Sequence, residues 1–502
     1  MANFHLAAGR QLRFVSRLEA LIFTGLIALL FWAPLPFASN RAWAVSILDI
    51  WIAGLGILWL LGWLLGDLRM LESWRGNRVP LLLLGGWLLV LGFQLLPMPV
   101  ALLRLLSPGS AEAYGSGYEA MTRMAAPISI ETSATTQYLL LSLSLAVFFA
   151  LLLTLVNNSA RLRILCYALV ISGTFQAVVG IYLHFTHAEY DLFFEHVQHD
   201  PLTGTFLNRN HFATYMEICL GLGVGLMATQ FTGERARNWR QRLRGLADLM
   251  LSPKAVIRIF LVVMVMALII TRSRMGNAAV FSSILIAGVV GLGVSRLPRR
   301  SLVVFLVSMI VLDIVIIGSW IGVEQVVQRV QNTTLTVTGK EGRGASEESL
   351  QERAGPGLGG LAAWRDYPFF GSGGKTFYTV YQRYRVPGTT GFFDHAHMDY
   401  AEFPADGGAL GVGFLALLCL LTLRAALQAL KQRSDLIYRG LAFGAFMGLV
   451  AVGLHATVEF ALQIPAIAFA FCVLVAVPWI CRKKNQGRDD AVTSLGRNMP
   501  ME

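Results

Sequence analysis

The stretch AVIRIFLVVMVMALIITRSRMGNAAVFSSILIAGVVGLGV (residues 255–294) decides the fold. Two apolar runs, 255–271 and 277–294, are joined by little more than the polar turn TRSRMGN. A run of about 20 apolar residues crosses the roughly 30 Å hydrocarbon layer of a bilayer as a helix. In lipid the backbone must satisfy its own hydrogen bonds, so an open strand is excluded. Runs of the same kind recur near 18–37, 43–65, 79–97, 138–156, 163–185, 211–231, 301–322, 406–425, 437–459 and 463–480. The expected fold is an all-α polytopic membrane protein with about twelve transmembrane helices.

Composition agrees. Of 502 residues, 55% are hydrophobic and 14% charged, against about 25% charged in soluble domains. A net charge of +11 would point to nucleic acid in a soluble chain. Here Lys and Arg gather in alternate loops: GERARNWRQRLRG (233–245), SRLPRR (295–300), RAALQALKQR (424–433) and CRKKNQGR (481–488). With both termini cytoplasmic, about 27 of the 41 Lys and Arg lie on the inner side, as the positive-inside rule requires. A nucleic-acid partner is therefore set aside in favour of membrane lipids. The first apolar run is too long for a signal-peptide core and reads as an uncleaved anchor. Cys166, Cys219, Cys419, Cys472 and Cys481 fall in or beside spans, so no disulfide is expected.

The expected organisation is a bundle over 1–322, a hydrophilic outer loop over 323–405, three last spans over 406–480 and a basic tail over 481–502. In the segment 98–137, PMPVALLRLLSP reads either as a short helix in the membrane interface or as a connector packed on the bundle. The stretch TGKEGRGASEESLQERAGPGLGG (338–360) reads as irregular. It precedes LAAWRDYPFFGSGGKTFYTVYQRYR (361–385), where aromatic and basic residues alternate with turn formers. Loops carry chemistry more often than spans, and the polar outer loops all fall on one side.

FFDHAHMDYAEFPADGGALG (392–411) concentrates titratable groups just before a span. It lacks the HExxH or CxxC spacing of a metal site, so no metal is expected. As a helix it would let His395 and Asp399 share a face, and likewise Glu402 and Asp406. Asp394 would cap it and Pro404 would bend it. Capping accounts for the carboxylates and leaves His397 unexplained. Arg272 and Arg274 flank a serine on the arginine-poor side, with Arg209, Arg353 and Arg365 in the other outer segments. Lone arginines at an interface usually snorkel, but a convergent set binds phosphate oxygens in pairs and stays charged.

Four segments in order resemble the O-antigen ligase/polymerase superfamily: LTGTFLNRNHFATY (202–215), TRSRMGNAAV (271–280), ERAGPGLGGLAAWRDYPFFGSG (352–373) and HAHMDYAEFPADGGALG (395–411). The ligase signature of that family is His, then Asn, Ser or Gln, nine residues, Gly, two residues, and Gly, Thr or Tyr. His397, Gly408 and Gly411 fit the spacing, and Met398 departs from the polar residue. The resemblance implies a GT-C-like bundle and metal-independent glycan transfer without a cofactor. The donor would be an undecaprenyl-pyrophosphate-linked glycan, and the acceptor a lipid A-core or a glycan. The site would lie on the periplasmic side of the bacterial inner membrane. It also implies that His397 is the base or orients the acceptor, while Arg274, Arg353 and Arg272 hold the pyrophosphate. His395, His211, Arg209, Arg365, Asp399 and Glu402 would support them.

The resemblance leaves a ligase and a polysaccharide polymerase both open. From other classes, a proton-coupled secondary transporter could use Asp49, Glu217, Asp313 and His455. A structural protein of envelope assembly would leave His397 and the arginines free to vary. Trp364, Tyr378, Tyr381 and Tyr384 could stack on sugar rings or form an interfacial belt.

Overall fold

In the computed structural model the described residues are 2–65, 76–115, 124–186, 200–230, 253–295, 350–386 and 392–482, with short pieces at 190–191, 194–195, 297, 302–304 and 307–308. Side chains are described from Arg17 onward in the first helix, from Ala255 in the ninth and from Ala354 in the eleventh.

The apolar runs form helices, in order α1 (Ala2–Trp32), α2 (Ala42–Leu64), α3 (Arg78–Gln94), α4 (Val100–Leu106), α5 (Pro108–Gly115), α6 (Thr132–Leu155), α7 (Ser159–Thr186), α8 (Arg209–Ala228), α9 (Pro253–Ile270), α10 (Arg274–Val294), α11 (Leu350–Asp366), α12 (Phe377–Tyr381), α13 (Asp399–Gln432), α14 (Leu436–His455) and α15 (Pro465–Cys481). Among the described residues, seven are long and apolar enough to cross a membrane: α2, α6, α7, α8, α10, α13 and α14. α3, α9 and α15 are shorter apolar helices. The expected span 301–322 lies outside the described residues apart from its short pieces. Outward faces stay apolar, with Ile50 74%, Leu82 71% and Leu89 76% exposed. Water would penalise such a surface and lipid does not.

α8 is the centre of the bundle, enclosed along its whole length from Asn210 to Ala228. Apolar side chains gain nothing by leaving lipid for one another, so close helix packing relies on small residues and short contacts. Gly221 and Gly225 of α8 face Gly440, Gly444 and Gly448 of α14, each set spaced by four. A Cβ at Gly444 would sit 2.2 Å from the Gly221 carbonyl oxygen, so the two backbones touch.

Helix ends sort to two sides. At one end Arg433 donates to the Cys481 carbonyl (2.7 Å) and Arg482 to that of Gly76 (3.2 Å). The starts of α8, α10, α13 and α15 gather at the other.

α13 is broken rather than bent. Pro404 lies inside it without interrupting it; the break falls at Gly408, where φ is +63° and ψ −176°. The segment Pro368–Gly373 fills the gap. Ser372 and Gly373 donate their N–H groups to the carbonyls of Ala405 and Asp406 (2.9 and 3.1 Å). Ala409 and Leu410 donate theirs to Pro368 and Phe369 (2.8 and 3.1 Å). The interrupted ladder is thus completed by a neighbouring loop, as apolar surroundings demand.

The outer segments pack as a small cap. α4 buries Leu103 and leaves Leu102 and Leu105 exposed, and Met98–Pro99 pairs antiparallel with Ala125–Ala126. From Leu350 onward the stretch expected to be irregular is helical, as α11, while 338–349 lies outside the described residues. Its glycines let α11 press on its neighbours: a Cβ at Gly359 would meet the Tyr381 ring at 2.5 Å. All five cysteines are free thiols in helices.

Candidate functional site

Three helix starts and one turn converge around Phe460, in the link between α14 and α15. α8 begins after Asn208, whose side chain accepts from the Asn210 N–H (2.8 Å). α10 begins after Ser273, whose Oγ accepts from Gly276 N–H (3.2 Å). That same Oγ donates to Asn210 Oδ1 (2.8 Å), tying the two starts together. Gly276 lets them approach, because a Cβ there would stand 2.7 Å from the Ala213 Cβ. Asn210 Nδ2 then donates to Glu459 Oε1 (2.6 Å), and Glu459 Oε2 is 3.6 Å from His211 Nε2.

This chain of bonds links the helix starts that carry Arg209, Arg272 and Arg274 to the Glu459–His211 pair. Arg209 adjoins Asn210, and Arg272 and Arg274 flank Ser273. Arg272 is exposed, left-handed at φ +54°, and pairs with Asp200 at 3.4 Å. Arg274 is also exposed, and Arg209 half-buried. Arg365 is exposed near the end of α11. The Arg353 side chain lies outside the described residues; its backbone is one turn before Gly357, which packs against Met398.

The turn His395–Met398 is not helical, so His395 and Asp399 do not share a helix face. Asp394 is exposed and does not cap; Met398 occupies the N-cap position without a side-chain bond. His395 donates from Nδ1 to Glu402 Oε1 (2.6 Å), and Ala396 N–H donates to Glu402 Oε2 (2.8 Å). The His395 ring stacks on Phe460 at 4.2 Å and 11°. His397 has φ +50° and stands edge-on to Phe460 at 5.0 Å, its Nδ1 enclosed without a hydrogen-bond partner. His211 stands edge-on to the same ring at 4.6 Å. One phenylalanine therefore organises three histidines.

The carboxylates do more than cap. Asp399, Glu402 and Asp406 are all buried. Asp399 accepts from Leu462 N–H (3.2 Å) and Asp406 from Lys375 N–H (2.7 Å). Asp399 N–H donates to the Ala456 and Glu459 carbonyls (3.1 and 3.0 Å), fixing α13 to the α14–α15 link. Burial alone would lower the His395 pKa, but the charge and hydrogen bond of Glu402 raise it above 6.5, with help from Asp394 and Asp406. Burial alone would raise that of Glu459. Attraction to His211, then to His397 and His455, instead holds it down at about 2.

Among the described residues, no three or more His, Cys, Asp or Glu could hold a metal ion together. Of the aromatic candidates, Tyr381 is buried, and Trp364 is half-buried with its Nε1 donating to the Pro368 carbonyl (3.2 Å). Tyr384 donates to Asp366 (2.5 Å). Tyr378 is the exposed one, paired with Phe392 at 5.0 Å. Sequence reasoning gave no preference to Glu459, and it did not single out Phe460. An acid followed by an aromatic at the edge of an apolar run was the available signal.

Met398 leaves the α13 N-terminus uncapped. Met398→Asn should raise the apparent melting temperature in detergent, because a capping side chain is worth about 1 kcal/mol. A melting temperature that does not rise would show that the half-buried Met398 side chain contributes as much by packing.

Residues 259–416 match the family model described as O-antigen ligase. The resemblance read from the sequence is thus shown over that segment, which holds Arg272, Arg274, Arg353, both turn histidines and the Gly408 break. The family supports a glycan-transfer role, ligase or polymerase, in polysaccharide biosynthesis, and is generally enzymatic. With the long apolar helices it indicates a multi-pass membrane protein. No curated protein matches the chain. Asn210, His211 and Glu459 lie outside the matched segment.

Proposed function

We propose that this protein transfers a glycan from an undecaprenyl-pyrophosphate carrier to an acceptor hydroxyl at the periplasmic face of the inner membrane. The observation that carries the reading is the Ser273–Asn210–Glu459 chain of hydrogen bonds. It links the arginine-bearing starts of α8 and α10 to Glu459 and, beside it, to His211 at the Phe460 ring, which supports a site that serves both a leaving pyrophosphate and an acceptor.

Breaking a glycosyl–pyrophosphate bond develops negative charge on the leaving oxygen, and fixed cations stabilise that charge best where water is scarce. Arg274 and Arg353 hold the pyrophosphate, with Arg272 and Arg209 beside them. The starts of α8 and α10 add their helix dipoles. The acceptor hydroxyl must lose its proton, and neutral imidazole suits that task near neutral pH. His397 borders the acceptor position. A polymerase would use the same chemistry with a growing glycan as acceptor, in place of lipid A-core. The transporter reading gains no support: Asp49 accepts from Ser144 (2.7 Å), Glu217 pairs separately with His455 (2.6 Å), and Asp313 lies outside the described residues.

Purified protein given undecaprenyl-pyrophosphate glycan and each acceptor, in chelator, should release undecaprenyl pyrophosphate. With the acceptor held below its KM, His397→Ala should lower that rate about 100-fold, the scale of a lost positioning group. A rate unchanged by His397→Ala would remove His397 from the mechanism. Whichever acceptor grows separates ligase from polymerase.

A further inference from the structure

The two histidines of the turn are not equivalent. We infer that His395, held by Glu402, is the base that takes the acceptor's proton, and that His397 orients the acceptor. This rests on the transfer reading above and divides the labour within it.

A base must keep one nitrogen free while a partner fixes the other and steadies the charge that appears on protonation. His395 meets each requirement. Glu402 grips the turn twice, through His395 Nδ1 (2.6 Å) and Ala396 N–H (2.8 Å), so the carboxylate cannot swing away. Stacking on Phe460 fixes the ring's rotation. Nε2, without a protein partner among the described residues, is left as the working nitrogen. His397 has the reverse arrangement. Its Nδ1 is enclosed with no hydrogen-bond partner, and its ring is held only edge-on, by Phe393 (5.9 Å) and Phe460 (5.0 Å). Among the described residues no carboxylate hydrogen-bonds it, so Glu459, whose charge reaches it, does not fix its ring.

The acceptor's O–H proton passes to His395 Nε2 as the acceptor oxygen bonds to the anomeric carbon. The bond from that carbon to the pyrophosphate oxygen breaks, and its electron pair leaves on that oxygen. The imidazolium, paired with Glu402, later gives its proton to water. Glu402 never holds the proton and is a positioning residue. The other titratable groups facing His395 are Asp394 of its own turn, Asp406 of α13, and His211 of α8 beside Glu459.

The test uses full-length protein in nanodiscs with the lipid-linked donor and its acceptor, followed from pH 5 to 9. Wild-type kcat/KM should rise with pH through a midpoint above 6.5. Glu402→Gln should move that midpoint down by about one unit or more, since a carboxylate at contact favours the charged imidazole by that much. His395→Gln should lower kcat about 100-fold or more and flatten the limb. His397→Gln should keep the limb in place and raise KM for the acceptor. A limb lost in His397→Gln and unmoved in Glu402→Gln would overturn the assignment. Nitrogen-15 histidine spectra of the same samples decide the dyad without turnover. One imidazole should titrate above 6.5, vanish in His395→Gln and fall in Glu402→Gln. The absence of such a resonance would overturn the dyad, whereas its presence in a protein inactive at every pH would overturn the transfer reading.

Discussion

Gly408→Ala is expected to leave little folded protein. At φ +63° and ψ −176° the residue occupies a region essentially closed to L side chains. A Cβ there would lie 2.4 Å from the Gly371 nitrogen and from the carbonyl of Phe369. Neither contact can yield, because those atoms belong to the loop that completes the broken α13 ladder. Strain and overpacking each cost about 1–3 kcal/mol, and separation of the loop would also strand the Ala405 and Asp406 carbonyls. The combined loss is on the order of 4 kcal/mol or more, comparable with the whole stability of many domains. Gly413→Ala is the control: a Cβ there meets nothing within 4 Å, and alanine favours a helix. Size-exclusion profiles and apparent melting temperatures in detergent check both. A Gly408→Ala protein that melts with wild type would show that the break is not required.

Glu459→Gln is expected to lower glycan transfer about 100-fold, on the scale of losing one preorganised electrostatic partner. The amide can still accept from Asn210, so Asn210 keeps its bond to the α14–α15 link. What goes is the buried negative charge facing His211 and His397. Glu459→Ala should also destabilise the protein, because Asn210 Nδ2 would lose its bond to Glu459 in the interior. The acid response gives a second readout. Glu459 has a pKa depressed from 4.5 to about 2 in the folded protein. Its contribution is therefore present above pH 4.5 and lost as pH falls from there toward 2. Wild type should lose stability across that window more steeply than Glu459→Gln. Parallel acid curves with equal transfer rates would reduce Glu459 to a passive core residue.

His397, Gly408 and Gly411 could be found as a spacing, because a sequence records separation along one chain. Their physical roles could not. Gly408 permits a break and receives a loop, while Gly411 makes room for Trp87, whose ring a Cβ would meet at 2.7 Å. Neither partner is adjacent in sequence. The carboxylates of the same stretch looked like caps because short-range logic offers caps; burial against Leu462 and Lys375 comes from elsewhere in the chain. Glu459 and Asn210 are 249 residues apart, so no local pattern joins them.

The sequence by itself determined that this is a helical membrane protein and which family motifs it carries. Each of these follows from contiguous residues, since lipid partitioning acts on a run of side chains and leaves a local trace. Only the tertiary structure decided which helix lies inside. α8 is the least apolar of the seven candidate spans and the most enclosed, because lipid demands apolar faces outside and tolerates hydrogen-bonded polar groups within. Only the tertiary structure, likewise, brought Glu459, Phe460 and three histidines together. Such convergence depends on how distant helix ends pack, and packing is a property of surfaces rather than of runs.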